Sequence, residues 1–299
     1  MTAASIYQIY YSDQTRTELD PGFLPLDNSA NPRPDWREYW PIRAFLLGQT
    51  LEPDRYYGFF SPKFKQKTTL TATMVQEFIR QRDGTADVIS FSPFFDQMAL
   101  PLNILELAAV VHDCRDTFAQ CAALVAPGFC IESSVMSSLD IVYCNYFVAK
   151  PRFWTEWLSK CEQIFAIAEQ GITPLGQALN RVVSYGTGAA PAKVFLIERV
   201  ASLLLWSDPH WRHQSFNPQF LPHLRTRLSA VASAPDLLVL DALKIAYARS
   251  GVEQYLAVYH QLRERLSQRH AASQPSTRPT GAIDSRQFQA QPVPDAQSR

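Results

Sequence analysis

Glycine is scarce in this chain, 11 residues in 299 against 21 prolines, and cysteine is scarcer still, at five. The glycine-patterned loops that cradle phosphates or expose a nucleophile are all missing. There is no P-loop, no G-x-G-x-x-G and no G-x-S-x-G, so NTPase, dinucleotide-binding and hydrolase readings lose their usual warrant. The cysteines (Cys114, Cys121, Cys130, Cys144 and Cys161) are odd in number and none stands in C-x-x-C spacing. They read as reduced, mostly buried thiols.

Net charge is missing as well, with Lys+Arg and Asp+Glu balanced at 28 each. That argues against a nucleic-acid clamp or a polybasic membrane binder, whose affinity comes from many phosphate contacts. Two or three local cations still suffice for one small anion. No stretch reaches the roughly 18–20 uninterrupted apolar residues of a membrane span. Met1 to Ser5 runs straight into an apolar strand without a basic n-region. The expected setting is the cytoplasm.

What the chain does contain is alternation. Ile6–Tyr11, Tyr56–Phe60, Asp87–Ser92 and Ile141–Val148 are β-branched and aromatic runs that predict four strands. Between and after them, helical spacing appears over Trp36–Leu47 (with Pro41 forcing a kink or a start there), about 71–82, roughly 102–125 and Phe153–Ala168. This order predicts an α/β layered sheet with parallel neighbours. After residue 170 only helical patterns are expected: Pro174–Val183, Lys193–Trp206, Pro222–Ala232, Pro235–Ala248 and Val252–Arg269. The division is then a 1–206 α/β domain, a 207–270 helical appendage and a 271–299 tail too poor in apolar residues to fold.

The segments IYQIYY, PGFLPLDNSANPRPDWREYWPIR, YYGFFSPKF, DVISFSPFFDQ, CNYFVAKPRFWTEWL and KVFLIERVASLLL occur in that order. Together they resemble a little-characterised group of bacterial proteins described as glycosyltransferases. The layout is also similar to a broader polysaccharide-biosynthesis family, in which a G-[FL]-x-S/H-x-[KR]-[FY] strand end precedes an N-x-F-[IV]-x-K strand and a late Glu-Arg helix. The matching residues here are Gly58–Phe64, Asn145–Lys150 and Glu198-Arg199. The resemblance covers about residues 5 to 206. It implies a GT-A-like, mainly parallel sheet with flanking helices, a nucleotide-sugar donor, and a glycan or lipid-linked acceptor in surface-polysaccharide assembly. Metal-dependent members of that class carry Asp-x-Asp, which this chain lacks. Asp96, after the third strand, is the single carboxylate that could hold Mn²⁺ or Mg²⁺ through donor phosphates. A non-catalytic glycan-binding or scaffolding protein with a degenerate transferase fold is the alternative this absence leaves open.

Ligands of open α/β sheets lie outside the carboxyl ends of the strands, which ranks the candidates. The connector after the first strand holds Asn28, then Arg33, Arg37 and Arg43 beside Trp36, Tyr39 and Trp40. A base or sugar ring can stack on such aromatics with arginine on phosphate; equally, the rings can be core and the arginines paired with Asp35 and Glu38. Ser61, Lys63 and Lys67 follow the second strand as diphosphate candidates or as a solvated basic loop. Asp96 and Gln97 follow the third as metal or hydroxyl contacts or as a helix cap. Asn145 and Lys150 bracket the fourth, as donor contacts or local scaffolding. Glu198 shares a helical stripe with Phe195, Ser202 and Leu205, where burial would raise its pKa toward that of a general base; Asp140 is the second candidate for that role. The His210/His213 pair and Glu18/Asp20 lie in loops without further ligands and are discounted.

Overall fold

The computed structural model describes residues 4–185, 188–222 and 227–273. The chain begins β1 (Ala4–Tyr10), α1 (Asp13–Thr17), β2 (Leu24–Asp27) and α2 (Tyr39–Gly48). There follow β3 (Tyr56–Phe60), α3 (Phe64–Thr68), α4 (Ala72–Arg80) and β4 (Val88–Ser90). Next come α5 (Phe95–Ala99), α6 (Ile104–Val111), α7 (Arg115–Val125), β5 (Phe147–Ala149) and α8 (Pro151–Gln170). The remainder is α9 (Pro174–Asn180), β6 (Val182–Tyr185), β7 (Gly188–Pro191), α10 (Ala192–Ile197), α11 (Val200–Ser207), β8 (His213–Ser215), α12 (Ala234–Ser250) and α13 (Glu253–Ser273).

Six strands form one mixed, mainly parallel sheet in the order β2-β1-β3-β5-β4-β8. All run the same way except β5, which is antiparallel to both of its neighbours. Both faces are covered, so the central strands are apolar on each side. Tyr57, Phe59, Val88 and Phe147 face the α2, α8 and α11 side. Tyr56, Phe60, Ile89 and Val148 face α3 and α4, meeting Phe64, Val75 and Ile79. Gly58 is required where β3 meets β5, because a Cβ there would lie 2.4 Å from Val148 Cγ1.

Local chemistry accounts for the ends of several elements. Thr71 accepts from Met74 N at the start of α4, and Ser233 and Asp236 form a reciprocal capping box on α12. Pro41 sits within the first turn of α2, where its missing N–H breaks no helical bond.

Three expectations are corrected. The fourth predicted strand is antiparallel and shrinks to Phe147–Ala149. Strands do not stop at residue 170, since β6 and β7 pair as a hairpin and β8 extends the main sheet beside β4. The Pro-rich connector contains an edge strand, β2, in which Pro25 is tolerated because an edge position leaves its missing donor unneeded. The 207–270 region is therefore more than a helical appendage. Within the helix expected over Pro222–Ala232, the described part is one 3₁₀ turn at Arg227–Ala230, and residues 223–226 lie outside the described residues. So does the expected tail beyond Ser273.

The α12–α13 pair lies on α5 and α6, burying Leu237, Leu240, Tyr259 and Leu266 against Phe95, Leu100, Leu102 and Leu107. No helix among the described residues is long and apolar enough to cross a membrane.

Candidate functional site

The parallel strands deliver their carboxyl ends to one edge of the sheet, where the residues next in line are Tyr11, Asn28, Ser61, Phe91 and Phe216. Because β5 runs the other way, it is its entry, Cys144–Tyr146, that arrives at this edge. Phe91 N donates to Tyr146 O at 2.8 Å. The Ser61 and Tyr146 hydroxyls share a 2.5 Å hydrogen bond, and Tyr143 N donates to Ser92 Oγ at 3.0 Å.

Tyr143 to Tyr146 is a tight turn. Cys144 and Asn145 have φ of 60° and 54°, and Tyr146 N donates to Tyr143 O at 3.0 Å. Two successive positive φ angles under that bond fit a type I′ turn, which ordinarily uses glycine, asparagine or aspartate. A cysteine at the first corner is strained. Phe94 (φ 71°), whose ring meets that of Tyr143, and Thr69 (φ 60°), two residues after Lys67, are strained likewise. Such conformations cost about 1–3 kcal/mol each and persist at ligand sites, where the surroundings over-determine them. Asn145 is 3% exposed, and its Oδ1 has no hydrogen-bond partner among the described residues.

Lys67 reaches this space from the last turn of α3. Its Nζ donates to Cys144 Sγ at 3.2 Å and stands 5.7 Å from the ring centroids of both Phe94 and Tyr146. Burial alone would lower its pKa, while Glu198, and Cys144 and Tyr146 in their ionised forms, raise it. The Cys144 thiol is itself pushed up to about 11 by burial, and burial raises the Tyr146 phenol too. Both are neutral at pH 7. Of these three neighbours, then, only Glu198 can carry charge against the ammonium, and no carboxylate oxygen lies within 4.0 Å of it among the described residues.

Glu198 ends α10 and is half-buried. Burial raises its pKa, with Arg199, Lys67 and Arg37 opposing and Glu38 adding to the rise. This edge of the sheet thus brings a half-buried cation near a carboxyl group that gains basicity from burial. Chemically, it can hold an anion beside a proton acceptor.

The other candidates fall into two groups. Gln97 is half-buried, and its carbonyl accepts from Tyr143 OH at 3.3 Å, which puts it on the wall of this crevice. Lys63 is exposed at the start of α3, one turn before Lys67. Asp96 is 6% exposed; its Oδ1 accepts from Gln97 N at 2.9 Å and its charge acts on Tyr143. Among the described residues no group of three or more His, Cys, Asp or Glu side chains is placed to hold a metal ion. Asp96 is thus a single buried carboxylate at this edge, without a ready-made cluster of protein ligands around it among the described residues.

The second group braces the structure elsewhere. Arg33 pairs with Asp35 at 3.0 Å and Glu169 at 2.6 Å, and Arg43 pairs with Glu162 at 2.6 Å. Trp36 is buried and donates to Glu169 at 3.0 Å; Tyr39 is buried and donates to Glu162 at 2.5 Å. Trp40 is half-buried, 5.4 and 5.5 Å from the Arg33 and Arg43 guanidinium carbons. These residues tie the connector and α2 to α8, the core reading of that cluster, with Glu162 and Glu169 as the main partners in place of Glu38. Asn28 Nδ2 meets Asn31 Oδ1 at 3.5 Å within the connector.

Lys150 is carried to the opposite edge of the sheet by the reversal of β5, and its Nζ donates to the Asp54 carbonyl there. A hollow of about 470 Å³ between α2 and α8, lined by Leu46, Leu51, Trp154 and Leu158, also lies on the α8 side. Asp140 accepts from Ser137 N and Oγ at 2.7 and 2.6 Å, and its charge acts on His213 and Lys244 under the C-terminal helices. Sequence reasoning missed the turn at Cys144 and the parts played by Tyr143 and Glu38. The sole available signal was an asparagine at the mouth of an apolar run.

No protein-family model, no curated protein and no solved structure matches the chain.

Proposed function

We propose that the chain is a GT-A-like glycosyltransferase that moves a sugar from a nucleotide-sugar donor to a glycan or lipid-linked acceptor in bacterial surface-polysaccharide assembly. The observation that carries the reading is Lys67, a half-buried ammonium hydrogen-bonded to a thiol at the carboxyl edge of the sheet, within electrostatic reach of Glu198. Of the three motifs with the family resemblance, Gly58–Phe64 and Asn145–Lys150 reach the carboxyl edge of the sheet with Ser61 and Asn145, and Glu198-Arg199 follows α10.

In the proposed step, Glu198 takes the acceptor hydroxyl proton and the freed oxygen forms its bond to the anomeric carbon. The bond from that carbon to the diphosphate oxygen breaks, and the nucleoside diphosphate leaves with the electron pair, its new charge met by Lys67. Ser61, Gln97 and Asn145 offer polar contacts to the donor. Asp96 is the carboxylate that would hold Mn²⁺ or Mg²⁺ through the donor phosphates.

Isothermal titration of the full chain with a panel of nucleotide sugars, with and without Mn²⁺ or Mg²⁺, tests the reading. Saturable binding of one donor, followed by slow release of its nucleoside diphosphate, is expected. No heat with any donor at millimolar concentration sinks it. The engagement of Asp96 Oδ1 by a backbone N–H favours one rival, a glycan-binding protein without turnover. Nucleotide release that disappears in Lys67→Met rules that rival out.

A further inference from the structure

The Arg33, Arg37 and Arg43 guanidiniums start from one stretch of chain and meet different fates. Arg33 is held by Asp35 and Glu169, and Arg43 by Glu162. Lys193, which reaches the same region, is held by Asp35 and Asn180. Arg37 differs. Among the described residues no carboxylate lies within salt-bridge distance of its guanidinium, which is exposed and makes one 3.4 Å contact to the Ala189 carbonyl.

The backbone beneath Arg37 is also unusual. Its φ and ψ are 49° and −133°, followed by −64° and −22° at Glu38. Those are the dihedrals of a type II′ turn, whose first central position is dominated by glycine. A long, charged side chain at that position is strained, and nothing in its own contacts compensates for the strain. Its charge, like that of Lys67, acts on Glu198. Contacts link the two cations from different elements: the 2.7 Å Lys193–Asp35 pair docks the start of α10 against the turn that carries Arg37, and just past the end of α10 Arg199 stands 5.9 Å from the Tyr143 ring, which meets Phe94, itself 5.7 Å from Lys67 Nζ.

We propose that Arg37 and Lys67 form a two-cation clamp on the crevice, taking one diphosphate-class anion between them with Glu198 alongside. Arg37 supplies the planar fork that suits two phosphate oxygens, and Lys67 supplies the half-buried point charge. The strain at Arg37 is retained because the left-handed turn directs the guanidinium at the ligand. The inference rests on the transferase reading for the identity of the anion's owner, while the clamp itself is a statement about anion affinity.

The test titrates sodium pyrophosphate and uridine diphosphate into full-length wild type, Arg37→Gly, Arg37→Lys and Lys67→Met, each at two salt concentrations. Wild type is expected to bind both anions, more weakly at high salt. Arg37→Gly is expected to lose at least about tenfold in affinity while its ligand-free melting temperature rises by about 1–4 °C, since glycine accepts the turn. Arg37→Lys keeps the charge without the fork and is expected to lose a few-fold. Pyrophosphate bound as tightly by Arg37→Gly as by wild type overturns the clamp. So does a lower melting temperature for Arg37→Gly, or the absence of saturable anion binding by wild type. Arg37-dependent pyrophosphate binding with no nucleotide sugar bound keeps the clamp and removes the transferase reading alone.

Discussion

An ammonium group taken from water into a partly apolar crevice loses hydration that a thiol acceptor does not replace. Lys67 is in that position, and Glu198 beside it carries the complementary problem, a carboxyl whose ionised form is disfavoured by burial. The consequence for pH can be signed. Because the Glu198 pKa is raised in the folded chain, its contribution to stability is full below the unfolded carboxyl pKa and is lost as pH rises through the folded value. Glu198→Gln cannot ionise, so its melting temperature relative to wild type is expected to increase from pH 4 to pH 7.5. Transfer activity is expected to fall by about 10²–10⁴, the usual contribution of a general base. A melting-temperature difference that stays flat over that range contradicts the assignment of the raised pKa. Activity within a few-fold of wild type removes Glu198 from the proton transfer. Lys67→Met should instead weaken donor binding and, because the Lys67 charge opposes the rise at Glu198, widen the pH range over which the folded carboxyl stays protonated.

At the level of elements, the crevice wall is held from far along the chain. Lys244 on α12 donates to the Met98 and Pro101 carbonyls at 2.5 and 2.7 Å, and Tyr259 on α13 donates to the Leu100 carbonyl at 2.7 Å. Arg263 pairs with Glu106 at 2.8 Å, and Asp241 accepts from Ser138 N and Oγ. These contacts fix the segment that follows Asp96 and Gln97. Burial lowers the Lys244 pKa to about 8 from 10.5, with Asp241, Asp140 and Glu106 opposing. Between those two values the unfolded chain holds a proton that the folded chain has released, so this group makes stability rise with pH. Relative to Lys244→Met, wild type is expected to gain on the order of 3 kcal/mol between pH 7.5 and 10.5 in denaturant melts. A constant difference across that range means that Lys244 is not enclosed in this way. None of these partnerships follows from residue type. Strands β1, β3 and β4 were legible because alternating or continuous apolar runs mark them, and α4 and α8 because their stripes are regular. The direction of β5 was not, since antiparallel and parallel strands buried on both faces share one pattern; that single reversal moved Lys150 away from the site while leaving Asn145 in it. Strand β8, His213–Ser215, has no apolar run to announce it. Lys67, Ser61 and Glu198 were readable as candidates from their places after a strand or on a helical stripe. The partners that occupy Arg33 and Arg43 come from α8, 136 and 119 residues later, and no local signal pointed to them.

Across the whole molecule, the same contacts decide whether the first 206 residues form a separable unit. Cutting there removes β8, which pairs with Val88–Ser90, and with it the hydrogen bond of 2.8 Å between His213 Nε2 and Ser90 Oγ. It also removes Leu221, Leu228, Leu237, Leu240, Tyr259 and Leu266, all buried. At roughly 1.5–3 kcal/mol for each large side chain buried, the lost burial is about 10 kcal/mol or more. That is comparable to the entire net stability of an ordinary domain, about 5–15 kcal/mol. The cut further strips partners from the Met98, Leu100 and Pro101 carbonyls and from Ser138 N–H, each enclosed by the C-terminal helices in the intact chain. A fragment of residues 1–206 is therefore expected to show no cooperative thermal transition and a collapsed near-ultraviolet circular dichroism signal, with its aromatic core no longer fixed. It should also bind no pyrophosphate, because Phe94 and Gln97 adjoin the Met98–Pro101 segment that has lost its support. A fragment that unfolds cooperatively near the melting temperature of the full chain, with its near-ultraviolet spectrum intact, would mean that the α/β part carries its own stability. The C-terminal helices would then be an addition to the fold, and the crevice wall would owe its position to β4 and the Tyr143–Tyr146 turn alone.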